Sequence, residues 1–272
     1  MGKLPIGLQL YSVRDDMEKD FSGTLKALKE MGYTHAEFAG LYGHSAEEVK
    51  EMCAAAGINP YSAHVNALEI MEDLHGNIKK YADIGCKFIA IPWADASRDL
   101  PGGSEYDKFL ATIRIIAAEC KKYGIGLLYH NHEFEFEKID GKNKLDILYA
   151  DTTPEELATE IDTCWAKVGG ENPAEYVKKY TGRAPIIHLK DYAGGKSDNM
   201  YGLIGGKEQA EGENEAFELR PIGSGVQDVA SLLQAAEAAG ANIVVVEQDE
   251  PSQGKSRMEC AKSSIDYIKS IY

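Results

Sequence analysis

The chain has 272 residues, 44% hydrophobic and 27% charged, with 29 basic against 44 acidic side chains for a formal net charge of −15. That length and balance exclude a disordered chain, a collagen-like repeat and a small disulfide scaffold. The negative surface disfavours a nucleic acid or an anionic membrane as partner.

The apolar runs and turn signals alternate in chain order. Ile6–Leu10 reads as a first strand. Phe21–Met31 places Leu25, Leu28 and Met31 at helical spacing and stops before Gly32. His35–Ala39 is the second strand. Ser45 and Glu48 form a capping-box pattern, and the helix behind it runs to Gly57. Tyr61–Val65 and Phe88–Trp93 are the third and fourth strands. Tyr106–Tyr123 carries Phe109, Leu110, Ile113, Ile116 and Ala117 on one helical face. Gly126–His132 and Thr159–Asp162 are the fifth and sixth strands. Asn172 and Pro173 look like an N-cap and first-turn proline before a helix over Ala174–Tyr180. Pro185–Lys190 is the seventh strand, Asp228–Ala239 a helix, Ile243–Gln248 the eighth strand and Ser256–Ile271 the last helix. Glycines 32, 57, 85, 124 and 240 each stand between a helical stretch and an apolar one, where a left-handed C-cap turns helix into strand.

Strands alternating with helices mean an α/β fold with a parallel sheet, and eight strands are the number that closes a (β/α)8 barrel. A doubly wound open sheet would carry a phosphate fingerprint after the first strand, and Leu8-Gln9-Leu10-Tyr11-Ser12 has none. No linker divides the chain, so residues 1–272 are expected to be a single barrel domain. A long loop over about 193–225 should follow strand seven. The five cysteines, Cys53, Cys86, Cys120, Cys164 and Cys260, include no Cys-x-x-Cys pair, which suits reduced thiols in a cytoplasmic protein. Neither a signal peptide nor a membrane span is expected.

The C-terminal ends of barrel strands converge on one cleft. Read at those ends, the chain offers Glu37, His64, Trp93, the run His130 to Glu135, Glu160 and Asp162, His188 to Asp191, and Glu247 to Asp249. Asp162, His188 and Glu247 come from three strands and suit one divalent ion of the Mn, Zn, Co or Mg type. For the fourth ligand, His130, His132, Glu133 and Glu135 compete. Each group also has a plainer reading. Asp162 would cap the next helix, Lys190 and Asp191 would be a solvated pair at a loop mouth, and Trp93 and Trp165 would be rim packing. Four adjacent strands ending in metal-competent groups favour one site over four separate explanations.

The order of these motifs resembles the sugar phosphate isomerase/epimerase family, the xylose-isomerase-like TIM barrels. The resemblance rests on Gly7-Leu8-Gln9-Leu10-Tyr11-Ser12-Val13-Arg14, on Tyr129-His130-Asn131-His132-Glu133-Phe134-Glu135-Phe136, similar to the YHNHxxEF strand of one branch, and on Glu160-Ile161-Asp162-Thr163-Cys164-Trp165. Ile187-His188-Leu189-Lys190-Asp191, Gly223-Ser224-Gly225 and Val246-Glu247-Gln248-Asp249 continue it. It implies one metal held by a Glu-Asp-His-Glu set, of which Asp162, His188 and Glu247 match the last three. His130 stands where many relatives carry the first Glu. Either His130 is the ligand or Glu133 or Glu135 reaches back. Glu135 is favoured, because the branch motif retains it and a carboxylate keeps the site's charge.

The implied chemistry is isomerisation or epimerisation of a keto sugar or related polyol through an enediolate, with His132 or Glu247 moving the proton and Lys190 stabilising negative charge. His132 is attractive because an ordinary imidazole titrates near neutral pH. His64, His130, Trp93 and Trp165 are expected to contact the substrate. The same frame would serve a lyase, such as an inosose or keto-sugar dehydratase or a deglycosylating lyase on a 3-keto glycoside. A non-catalytic sugar-binding barrel is a further reading, and DNA-repair nuclease chemistry is opposed by the charge. The expected partners are a small sugar and, at most, further copies of the chain.

Overall fold

The computed structural model describes residues 3–195 and 217–272. Eight parallel strands close a barrel: β1 Ile6–Gln9, β2 His35–Phe38, β3 Asn59–His64, β4 Phe88–Ile91, β5 Gly126–His130, β6 Ala158–Asp162, β7 Ile186–Leu189 and β8 Ile243–Val246. Neighbours pair in chain order, and β1 seals the ring against β8 with Gly7 opposite Val245. All eight expected strands are present, and the fold is the expected TIM barrel.

Local chemistry sets the helix boundaries. Ser45 and Glu48 form a complete capping box at the head of Ala46–Ala56, and Ser256 with Glu259 does the same for Arg257–Ile271. Such a cap contributes about 1 kcal/mol. Asn172 caps Pro173–Lys179 through the Glu175 amide. Phe21–Met31 ends at Gly32, whose φ of 112° no side chain adopts comfortably, and the Tyr33 amide closes the turn on the Leu28 carbonyl. Tyr33 is then fully buried at the head of the next strand.

Two apolar layers hold the barrel. One packs the helices onto the outside of the strands. The other is a plug of Ala90, Leu128, Ile186, Ile243 and Val245 inside the ring. Burying each such Leu, Ile or Val contributes roughly 1.5–3 kcal/mol. Because strand side chains alternate, the places above this plug on the same faces fall to residues two further along. Ile186 is followed by His188, Val245 by Glu247 and Leu128 by His130, so the plug is the floor of a polar cup.

Several elements differ from the sequence expectation. Leu74–Ile84 and the shorter helices Arg14–Lys19, Ala67–Glu72, Lys144–Ala150 and Thr163–Val168 were not foreseen. Strand five ends at His130 rather than His132, and Phe134–Phe136 is a 3-10 turn. Of the loop expected over 193–225, residues 196–216 lie outside the described residues. Its described flanks are not all loop, since Asp191–Ala193 pairs antiparallel with Glu218–Arg220. All five cysteines are buried and free. No helix among the described residues is long and apolar enough to cross a membrane.

Candidate metal centre at the barrel mouth

Polar side chains stand in two tiers above the apolar floor. The inner tier holds Glu37, His64, His130, Glu160 and His188, and its members touch one another. Glu160 Oε2 lies 2.6 Å from His64 Nε2, 3.3 Å from His130 Nδ1 and 3.5 Å from His188 Nε2. Glu37 Oε1 lies 2.7 Å from His188 Nε2 and 3.1 Å from His64 Nε2. The outer tier holds Asp162, Lys190, Glu247 and Asp249. Lys190 Nζ sits 2.9 Å from Glu247 Oε2, 3.0 Å from Asp249 Oδ2 and 3.4 Å from Asp162 Oδ2. His188 joins the tiers, with its Nδ1 3.1 Å from Glu247 Oε2.

The backbone explains why Asp162 points where it does. One oxygen, Oδ1, accepts from the amides of Cys164 and Trp165 and so caps Thr163–Val168. Asn131 brackets the same residue, accepting from its amide and donating to its carbonyl. Oδ2 is left over, buried and making no hydrogen bond, with only the Lys190 ammonium at ion-pair distance, 3.4 Å. The plainer reading of Asp162 as a helix cap is therefore correct, and it leaves one oxygen for another task. Lys190 and Asp191 are not a solvated pair, since both are buried. Asp191 accepts from the amides of Tyr192, Gly223, Gly225 and Gln227 and folds the Gly-Ser-Gly turn around itself.

Five carboxylates share this cup with one lysine and three histidines. Burial drives the Asp162 carboxyl up to about 6 despite Lys190. It also raises Asp249. Burial opposes ionisation of Glu247 and Glu37 too, but Lys190 and His188 hold Glu247 well below the usual carboxylate range, and His64 and His188 do the same for Glu37. His64 is lifted to about 10, because Glu37 and Glu160 outweigh its burial. Burial and the neighbouring His188 and His64 push His130 well down, which keeps it the neutral imidazole that ligation requires.

One nitrogen or oxygen from each of His130, Asp162, His188 and Glu247 lies within 4.8 Å of all the others. His64, His130, Glu160 and His188 meet the same condition. A His/Glu/Asp cluster that could bind a metal is thus present, and the Asp162 Oδ2 at its edge, which makes no hydrogen bond, fits a cation. The structure does not bring Glu135 to this cluster. Its oxygens accept from the Tyr129 hydroxyl at 2.7 Å and the His132 amide at 2.8 Å, tying the 3-10 turn back to β5. The strand-five member of the cluster is His130.

Burial raises the Glu135 carboxyl from 4.5 to about 8. The folded protein therefore holds a proton there that the unfolded chain releases, and stability falls as pH rises from 4.5 towards 8. Glu135→Gln should flatten that decline, as measured by urea unfolding across the window. An unchanged slope would show that Glu135 is not neutral in the fold.

The aromatic candidates divide. Trp165 is buried, stacked 5.6 Å from Phe217 with Lys190 over its ring, and His132 lies 5.7 Å away. Trp93 is 44% exposed at the rim, edge-on to Phe134. His64 does not stand free to meet a substrate, because Glu37 and Glu160 engage its Nε2. Sequence reasoning gave no role to Glu37 or Glu160. The signal for Glu160 was its spacing two residues before Asp162 on one strand.

A family model described as xylose isomerase-like TIM barrel matches residues 25–271. Among curated proteins, an inosose dehydratase from Geobacillus kaustophilus (strain HTA426) is 24% identical over 188 residues, 61% of this chain and 60% of that protein. The match thus spans less than two thirds of that relative's length. Among solved structures, a sugar phosphate isomerase/epimerase from Parabacteroides distasonis ATCC 8503 superposes with a TM-score of 0.79 at 24% identity, over 98% of each chain. An L-ribulose 3-epimerase gives a TM-score of 0.72 at 15% identity, covering 99% of this chain and 94% of the other. At these identities the structural likeness speaks for the fold.

Proposed function

Since the chain belongs to the xylose isomerase-like TIM-barrel family, we propose that it is a divalent-metal-dependent isomerase or epimerase of a keto sugar or related polyol. The observation that carries this reading is the convergence of His130, Asp162, His188 and Glu247 on one place, with Lys190 beside them. His130, Asp162, His188 and Glu247 would hold the ion. When bound it supplies the positive charge that makes a proton next to a carbonyl removable.

Glu247, 2.9 Å from Lys190, is the carboxylate we assign to accept the substrate proton. Lys190 supplies a fixed positive charge for the oxygen on which the electron pair settles. His132 lies against Trp165 and His130 on the other side of the cup; it takes the proton of the substrate hydroxyl and hands it to the neighbouring oxygen, while Glu247 returns the proton it took to the adjacent carbon. Its role differs from the one its ordinary titration suggests. Burial and Lys190 push it down to about 3, so it works as a neutral imidazole that gains a proton only within the reaction. Trp93, exposed at the rim, offers a flat apolar surface to a sugar ring, while Trp165 backs Lys190 and His132. His132→Gln should keep the bound ion and lose about 10²–10⁴-fold in kcat. Full turnover would remove His132 from the mechanism.

The inosose dehydratase relative supports a second reading, in which the same proton abstraction is followed by loss of water. Both are tested by incubating the metal-loaded protein with a panel of keto sugars and inososes in D2O. Deuterium at the carbon next to the carbonyl, with an isomeric product, supports the first. An unsaturated product from an inosose replaces it with the second. No solvent exchange into any member would sink both.

A further inference from the structure

We propose that Glu37 is a positioning residue that decides which ring nitrogen of His188 faces the cation. The proposal rests on the metal reading above.

His188 has a carboxylate on each side. Its Nε2 is 2.7 Å from Glu37 Oε1, and its Nδ1 is 3.1 Å from Glu247 Oε2. A cation bound to His188 displaces the proton of one ring nitrogen, and the carboxylate that keeps the remaining proton decides which nitrogen is the ligand. Glu37 makes the shorter contact. With the proton on Nε2, the Nδ1 lone pair is left on the side of Glu247, whose Oε2 lies 3.1 Å away. With the proton on Nδ1, the ring would donate to Glu247 and offer the cation nothing.

Glu37 can perform this task because it is itself held. Gln9 Nε2 donates to its Oε1 at 2.9 Å, and the Ser62 hydroxyl donates to its Oε2 at 2.5 Å. His64 stands between Glu37 and Glu160 and separates their charges. All four carboxylate-side partners are buried or nearly so, and Glu37 is fully buried. Glu37 belongs to neither group of converging donor atoms. The division of labour follows the barrel. β5 to β8 and their ends supply the ligands, while β1, β2 and β3 supply Gln9, Glu37 and Ser62 to hold one of them in register. Losing a carboxylate that supports a ligating histidine typically weakens metal binding about 10–100-fold.

The test is titration of the metal-free protein with Co2+, read by visible absorption, which needs no substrate. The native protein should take one equivalent. Glu37→Gln should still take one, about 10–100-fold more weakly, and Glu37→Asp should recover part of the loss. Ser62→Ala, which keeps the carboxylate but loosens it, should show a smaller loss in the same direction. It decides the matter if Glu37→Gln does not fold. Asp162→Asn should take no ion. Native-like affinity in both Glu37→Gln and Ser62→Ala, with Asp162→Asn still metal-free, would overturn the positioning role alone. Two equivalents in the native protein and one in Glu37→Gln would make Glu37 a ligand and overturn it too. A native protein that takes no divalent ion would overturn the metal reading and this proposal together.

Discussion

Asp162→Asn should strip the divalent ion from the protein and abolish turnover while leaving the barrel folded. The two oxygens of this carboxylate have separate tasks. Oδ1 caps Thr163–Val168, and Oδ2 faces the cluster and Lys190 without a hydrogen bond. Asparagine caps a helix about as well as aspartate, so the amide can keep the first task while failing at the second. Asp162→Ala fails at both and should lose a further ~1 kcal/mol of stability. The activity loss should exceed the roughly 10–100-fold expected for an indirect support of a metal site. Elemental analysis gives the metal-to-protein ratio, and thermal melts of the metal-free proteins give the stability. A native ratio in Asp162→Asn would remove Asp162 from the site.

Lys190→Met should destabilise the metal-free protein by about 3–5 kcal/mol, the usual cost of leaving a buried ionic group without its partner. The ammonium is 2% exposed and lies within 3.4 Å of Asp162, Glu247 and Asp249. Methionine fills the volume but leaves three carboxyls facing one another. A divalent ion restores the missing positive charge, so it should stabilise Lys190→Met more than it stabilises the native protein. Urea unfolding with and without Mn2+ measures both quantities. Equal stabilisation by the ion in the two proteins would show that lysine and cation do not share these carboxylates. Turnover should fall in the variant even when the ion is bound, because the fixed charge beside Glu247 is gone.

The barrel was legible because its punctuation is strong. Glycines at the helix ends, the Ser45–Glu48 box and four- to six-residue apolar runs mark the repeat without any long-range information. The missed helices are the ones that lack these marks. Arg14–Lys19 and Thr163–Val168 are too short for a periodic face, and Leu74–Ile84 starts with His75, Gly76 and Asn77, which read as a turn. The site was legible where a ligand-type residue ends a strand, as at Asp162, His188 and Glu247. It was not legible below that level. Glu37 and Glu160 lie one tier deeper, and only the closed ring shows that His64 and His188 meet them there. Glu135 was expected at the cluster because strand and turn cannot be separated in Tyr129 to Phe136 by pattern alone. Once the chain leaves β5 at His130, the 3-10 turn carries Glu135 back towards Tyr129 instead of out over the cup.

The seam between β1 and β8 bears on how the molecule is made. A chain emerging from the ribosome delivers Gln9 and Glu37 early and Glu247 near the end of the barrel sequence. Until β8 arrives, β1 is an unpaired edge open to intruding strands, and a nascent chain has the supports for His188 but lacks one of its neighbours. Interruption of translation before Ile243 therefore leaves β1 and β7 as open edges and the polar cluster without Glu247.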